Sequence, residues 1–175
     1  MISIAEATPH EKFPLSIVLL ANFISVLIYF IGIIIVLQIG LIWMIIYIIY
    51  IIILEISLLK KNCVYCYYYG KRCAFGKGKL ASFLFKKGDL KKLPKRQITW
   101  KDILPDFLVS VIPILLGIIL LILNFNWILI ILIIILFFLA FIAIAIIRTI
   151  SSCKYCKQRE LGCPAEKLFD KTKKL

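Results

Sequence analysis

The sequence predicts an all-α integral membrane protein whose four transmembrane helices form two tandem helical hairpins. Of its 175 residues, 63% are hydrophobic, and the mean hydropathy is +1.03. Four apolar runs of 17 to 23 residues have the length expected of helices that cross the ~30 Å hydrocarbon core of a bilayer. A motif of the form C-x2-C-x6-C follows the second run and again the fourth. Little of the chain is left over for a large soluble domain.

The first predicted hairpin consists of spans at residues 15–37 and 41–59, joined by a tight turn at residues 38–40. No basic segment precedes the first span, and the apolar run is longer than the core of a signal peptide. We therefore expect the first helix to be retained in the mature protein.

Polar residues in the first hairpin suggest where its helices make contact. Asn22, Ser25, Tyr29 and Gly32 fall on one helical face, which is typical of helix–helix packing in lipid. Glu55 is the one acidic residue inside the predicted spans. It either reaches the interface beside the following lysines or serves as a functional carboxylate.

The second predicted hairpin has spans at residues 107–123 and 127–147, with a turn at residues 124–126. Pro113 and Gly117 predict a kink in the third span. Membrane helices tolerate such a kink when neighbouring helices satisfy the freed carbonyl group.

Charge predicts the orientation of the spans. The chain has 22 Lys and Arg residues against 9 Asp and Glu, and none of the basic residues lies in either predicted turn. By the positive-inside rule, both termini and both cysteine motifs are cytoplasmic, in a multi-pass protein of the cell membrane. Residues 1–101 then form a first hairpin–cysteine repeat with a basic cytoplasmic segment. Residues 102–175 form a second repeat with a basic C-terminal tail.

The basic segment at residues 70–101 indicates the partners. Leu80–Phe85 is predicted to form a short amphipathic helix flanked by lysines, which suits anionic lipid headgroups on the cytoplasmic side of the bilayer. Tyr67–Tyr69 beside two basic residues could also stack on single-stranded nucleic acid. Membrane topology already explains the charge, so nucleic acid is the weaker interpretation, and a protein partner stays open.

All six cysteines belong to the two motifs, and in each motif Tyr precedes the second Cys. Cytoplasmic thiols are normally reduced, and three thiols per half would leave one unpaired, so disulfides are disfavoured. Two tetrahedral zinc ions need eight ligand positions, which six thiolates supply if two of them bridge. The sequence therefore predicts a metal site, with zinc as the expected ion. The predicted ligands are Cys63, Cys66, Cys73, Cys153, Cys156 and Cys163.

Used twice, this half-motif resembles the binuclear zinc cluster of the fungal Zn2Cys6 regulators. The resemblance implies that Cys63 and Cys153 bridge the two ions and that the other four cysteines are terminal ligands. It covers only the two motifs. Residues 74–152, including a predicted hairpin, separate them here where the fungal proteins have a short loop, so DNA binding is not implied.

Other interpretations of the cysteines remain. One zinc ion could take four of the six thiolates. An iron–sulfur cluster held by the cysteines would make the protein an electron carrier. The thiols could also act in dithiol chemistry or carry no metal. Nearby cations suit any thiolate site because they favour the ionised sulfur. They are Lys71, Arg72, Lys154, Lys157 and Arg159.

The sequence favours a binding or structural protein over an enzyme. The predicted spans contain no His, Lys, Arg or Asp, although proton and ion pathways usually need ionisable groups. We also find no Ser/His/Asp set, phosphate-binding glycine loop or H-E-x-x-H helix. The expected role is a structural metal clamp in a membrane scaffold or interaction protein. The alternative is a membrane redox or electron-transfer subunit.

Overall fold

The computed structural model describes residues 9–95 and 99–164, and within those ranges the protein is helical, with no strand. A short 3-10 turn, Cys63–Tyr65, begins the first cysteine motif. The predicted basic tail from Lys167 onward lies outside the described residues. The helices are α1 (Leu15–Leu37), α2 (Leu41–Lys61), α3 (Lys77–Leu84), α4 (Lys92–Lys95), α5 (Trp100–Leu123), α6 (Trp127–Phe137) and α7 (Ile144–Ile146).

Four helical stretches are long and apolar enough to cross a membrane, which confirms the predicted number of spans. They are Leu15–Leu37, Leu41–Tyr65, Lys101–Leu123 and Trp127–Cys153, with hydropathies from 2.6 to 3.7. Many of their Leu, Ile and Phe side chains are exposed, as expected of surfaces that contact lipid.

Helix α5 begins earlier than the apolar run predicted, at Trp100 instead of residue 107. The extra turns include Lys101, Asp102 and Asp106, and they start at a cap in which the Thr99 N–H donates to Asp102 Oδ2 at 3.2 Å. Asp102 and Asp106 therefore belong to the third long helix, although the predicted spans contained no aspartate.

Helix α6 begins at an Asn cap, where Asn126 Oδ1 accepts a hydrogen bond from the Ile128 N–H at 2.9 Å. Beyond it the chain stays helical but passes through two π-helical stretches, Phe138–Ala143 and Ile147–Cys153, on either side of α7. The fourth helical stretch therefore reaches the second cysteine motif and passes the predicted end at residue 147.

The chain forms two compact units. Unit 1 draws on the described residues of Met1–Ala21, Leu58–Ile98 and Ile146–Leu175, and unit 2 on those of Asn22–Ser57 and Thr99–Ala145. The proposed repeat division at residue 101 follows the sequence pattern and stays a prediction.

Unit 2 packs through two apolar clusters. In the first, Ile28, Ile31 and Ile35 of α1 pack with Leu129 and Leu136 of α6. In the second, residues of α1, α2 and α5 meet, and the buried members are Val36, Tyr47, Ile51 and Val109.

A proline in α5 explains one hydrogen bond of unit 2. Pro113 has no N–H, so it cannot donate to the carbonyl oxygen of Val109 four residues earlier. The Tyr47 hydroxyl of α2 donates to that oxygen instead, at 2.7 Å and in a buried position. The expectation that a neighbouring helix satisfies the freed carbonyl is thereby confirmed. Gly32 of α1 leaves room for the phenol, since a Cβ there would lie 2.5 Å from Tyr47 Oη.

Glu55 also finds its place in unit 2. The Tyr29 hydroxyl donates to Glu55 Oε1 at 2.6 Å, joining α1 to α2. The acid is half-buried and hydrogen-bonded, so a structural role accounts for its position in a span. Tyr29 and Gly32 both contact α2, as predicted for this face of the first helix.

Candidate functional site

The two cysteine motifs begin with the same backbone turns. The Cys66 N–H donates to the Cys63 carbonyl at 3.3 Å, and the Cys156 N–H donates to the Cys153 carbonyl at 3.4 Å. Three residues later the pattern recurs, with N–H groups of Tyr69 and Arg159 bonded at 3.0 Å to the carbonyls of the second cysteines. Turns of this kind bring the two sulfurs of a C-x2-C sequence to one side, as metal sites require.

All six cysteines lie in the described part of unit 1, and no disulfide joins them. Cys153 is exposed, and the other five are half-buried. Cys66, Cys73 and Cys156 pack together against one buried cluster, so the structure brings thiols of both motifs into the same place. The buried members of that cluster are Phe13, Val18, Tyr68 and Ala74.

Direct hydrogen bonds also join the motifs. The Tyr67 N–H of the first motif donates to Gln158 Oε1 of the second at 2.8 Å. Gln158 is only 5% exposed. The Tyr68 hydroxyl accepts from the Lys157 N–H at 3.0 Å and donates to the His10 carbonyl at 2.6 Å. Tyr68 was expected only as a possible stacking residue and Gln158 not at all, because no local pattern connects either residue with the cysteines.

The segment before α1 is a third part of the site. Its His10 N–H donates to the Tyr155 carbonyl and its Phe13 N–H to the Arg72 carbonyl, both at 3.0 Å, so the segment contacts both motifs. The His10 ring stacks on Tyr155, with centroids 5.0 Å apart and planes at 17°. No pattern in the short, polar segment predicted this contact.

Burial controls the ionisation of the central thiols. It raises the pKa of Cys66 to about 11, against an opposing effect of the Tyr68 N–H, and the neighbouring Cys73 and Cys163 sulfurs add to the increase. Burial likewise raises the pKa of Cys156 to about 11. The Gln158 N–H opposes that change, and Cys66, Cys163 and Cys153 add to it. Thiols of the two motifs therefore lie close enough to influence one another's pKa.

The first turn of helix α3 is hydrogen-bonded to the first cysteine motif. The Gly78 N–H donates to Cys73 Sγ at 3.3 Å, and the Gly70 N–H donates to the Gly78 carbonyl at 3.0 Å. A Cβ at Gly78 would collide with the carbonyl oxygens of Tyr68 and Lys71. Only glycine lets the helix approach the first motif this closely.

The cations near the cysteines contact aromatic rings. Lys71 Nζ lies 4.3 Å from the Tyr67 ring centroid and Lys157 Nζ lies 5.5 Å from it. Lys154 Nζ lies 5.7 Å from the Tyr155 ring centroid. These are cation–π distances, so the described lysines stabilise the aromatic surroundings of the thiols.

Within residues 9–95 and 99–164, no group of three or more His, Cys, Asp and Glu side chains stands in an arrangement that could hold a metal ion. The thiols of the two motifs share one cluster, but their sulfurs do not form a closed ligand set. Comparison with protein families, curated proteins and solved structures finds no match.

Proposed function

We propose that this is a multi-pass protein of the cell membrane in which a cytoplasmic six-cysteine site binds zinc as a structural clamp. The observation that carries the proposal is the packing of Cys66, Cys73 and Cys156, from both motifs, into one cluster of unit 1. A metal ion there would join the chain segments that follow the second and fourth spans. Lipid supplies no hydrophobic drive for helix association, so such a link would contribute directly to assembly.

A bound cation would change the ionisation of the thiols. With the pKa values of Cys66 and Cys156 raised to about 11, both thiols keep their protons at neutral pH unless a positive charge displaces them. Zinc supplies that charge and binds the thiolates. N–H groups already placed at the sulfurs, such as that of Gly78, would then donate to an ionised acceptor and form stronger hydrogen bonds.

Two ligand arrangements are consistent with the proposal. In the first, all six cysteines hold two zinc ions, with Cys63 and Cys153 bridging at ~2.3 Å per bond. In the second, one zinc ion takes the second and third cysteines of each motif. In favour of the second arrangement, Cys73 and Cys163 act on the pKa of Cys66, and Cys66 and Cys163 act on that of Cys156, to which Cys153 also contributes. In either arrangement the cysteine side chains would have to rotate to bring their sulfurs to the metal.

Elemental analysis of the full-length protein, purified in detergent without chelator, tests the proposal. Six thiolates should give about two zinc ions per chain, and four should give about one. Cys66→Ser and Cys156→Ser should lose zinc in both arrangements. Cys153→Ser should lower the zinc content only if Cys153 bridges. Metal-free protein with six titratable thiols would contradict the proposal.

The competing function is a membrane redox or electron-transfer subunit that uses iron–sulfur or dithiol chemistry. The N–H groups at the sulfurs of Cys66, Cys73 and Cys156 favour it equally, because such hydrogen bonds set the potentials of iron–sulfur clusters. Iron with acid-labile sulfide in the same samples, in place of zinc, would establish this alternative.

The rest of the proposal concerns topology and partners. The spans form two tandem hairpins with both termini in the cytoplasm, because the basic residues of the chain lie outside the two short turns. The protein is a scaffold or interaction protein. Its partners are the lipid bilayer, anionic headgroups on the cytoplasmic side, and a further protein held by the same basic surface.

A further inference from the structure

Helix α3 has two dissimilar faces. Gly78 and Ala81, three residues apart, are buried, and Ala81 is 0% exposed. The opposite side carries Leu80, Phe83 and Leu84, which are 48%, 86% and 50% exposed. Phe83 is the most exposed large hydrophobic side chain of the described residues, and it lies outside all four spans.

The inner face is held firmly, so the outer face has a fixed direction relative to the first motif. The Gly78 N–H donates a hydrogen bond to Cys73 Sγ. The Tyr69 hydroxyl donates to the Phe85 carbonyl at 2.7 Å, just beyond the last turn. Turning Phe83 inward would break both contacts. The apolar outer face is therefore a stable feature of unit 1.

Lysines surround this face. Lys79, Lys86 and Lys87 are exposed beside it, and Lys91 and Lys92 follow along the chain. Between residues 77 and 95 the one acidic residue is Asp89. An apolar stripe bordered by lysines matches the boundary between anionic headgroups and acyl chains. There the lysines meet phosphate groups and the apolar side chains leave water.

We propose that α3 is an interfacial helix whose Leu80, Phe83 and Leu84 side chains enter the surface of an anionic leaflet. The lysines on either side hold the headgroups. The proposal names the element that binds the lipid partner of the proposed function, and it depends on the membrane location of the chain but not on zinc.

The test uses the full-length protein in nanodiscs, with Trp43, Trp100 and Trp127 replaced by Phe and a single reporter, Phe83→Trp. In discs containing phosphatidylglycerol, its emission should shift to shorter wavelength. It should be quenched by lipids brominated near the headgroup end of the acyl chain and protected from aqueous acrylamide. Ser82→Trp, one residue before Phe83 in α3, is the matched control and should be quenched by aqueous acrylamide.

Charge dependence is tested with Lys86→Gln and Lys87→Gln together in the reporter background. The protection of Phe83→Trp should fall when these lysines are removed, and also in discs of pure phosphatidylcholine. Equal acrylamide quenching of the two reporters in both lipids would overturn the proposal. The acrylamide protection of Phe83→Trp could also disappear when each disc holds a single copy of the chain. That result would show that a second copy covers this face, and it would overturn the proposal as well. Zinc content measured on the same samples tests the metal site separately.

Discussion

The Tyr47 hydroxyl lies 2.7 Å from the carbonyl oxygen of Val109, the one carbonyl whose helical donor is removed by Pro113. The tyrosine of α2 thus donates a hydrogen bond to the carbonyl that the proline leaves without a helical donor in α5. In hydrocarbon no water can take over this role, so the two residues depend on each other.

Tyr47→Phe should destabilise the protein by about 1–3 kcal/mol, the cost of a buried carbonyl left without a donor. Pro113→Ala restores the N–H, so the same change should cost much less in that background. Reversible unfolding in mixed micelles gives the four values of the cycle. Tyr50→Phe is the control, because the Tyr50 hydroxyl bonds to the Pro105 carbonyl, which keeps the Val109 N–H as its helical donor. Equal costs of Tyr47→Phe in both backgrounds would refute the dependence.

Gly32→Ala should also be destabilising, by about 1–3 kcal/mol, because the new methyl group would overlap Tyr47 Oη. Removing that oxygen should relieve the overlap. We therefore expect Gly32→Ala to cost less in the Tyr47→Phe background, measured by the same unfolding assay. Additive costs would show that the close approach to the hydroxyl is not the cause.

Thiol reactivity should follow burial in metal-free, reduced protein. Cys153 is exposed and should be alkylated first. Cys66 and Cys156 should react last, since pKa values of about 11 leave little thiolate at neutral pH, and their rates should continue to rise as the pH approaches that value. Iodoacetamide labelling followed by peptide mass spectrometry measures all three. Faster labelling of Cys66 than of Cys153 at neutral pH would contradict the expected order.

Tyr68→Phe should loosen unit 1, because the Lys157 N–H loses its acceptor and the His10 carbonyl its donor. The expected cost is about 1–3 kcal/mol for each group left unpaired. Hydrogen exchange at the Lys157 amide should become faster. Tyr69→Phe is a matched control. The Tyr69 hydroxyl donates to the Phe85 carbonyl, within the basic segment, so exchange at Lys157 should stay unchanged.

The proposed orientation is tested with reporters. A fusion after Leu175 should read as cytoplasmic and an insertion at Gly40 as external, because the positive-inside rule places the basic segments inside. Labelling of Cys73 from outside intact cells by an impermeant thiol reagent would refute this topology.

Hydropathy was sufficient for the number of the spans but not for all of their bounds. The first was predicted with its observed bounds, Leu15–Leu37, because both ends coincide with sharp changes in polarity. The start of α5 was missed, although the Thr99-x-x-Asp102 capping pattern could have indicated it. The π-helical turns after α6 could not have been predicted, since its uniformly apolar sequence carries no period to mark them.

The candidate site was only partly accessible from sequence. The spacing of the cysteines predicted a shared site, and the structure brings both motifs into one cluster. The contacts that hold it depend on residues far apart in the chain. Gln158 bonds to Tyr67 across 91 positions, and Tyr68 bonds to His10 across 58. Such pairs follow from the tertiary fold and leave no local pattern.

The three separate segments of unit 1 have a consequence for biosynthesis. The His10 segment leaves the ribosome first, the first cysteine motif follows after two spans, and the second motif follows only after two more. Until then the second motif is not there to pack against Phe13 and Tyr68, and the cysteines of the first motif lack those of the second. Closure of unit 1 therefore requires that all four long helical stretches have been synthesised. A chain that stops early would present uncovered apolar residues and unprotected thiols to the quality-control machinery of the cell.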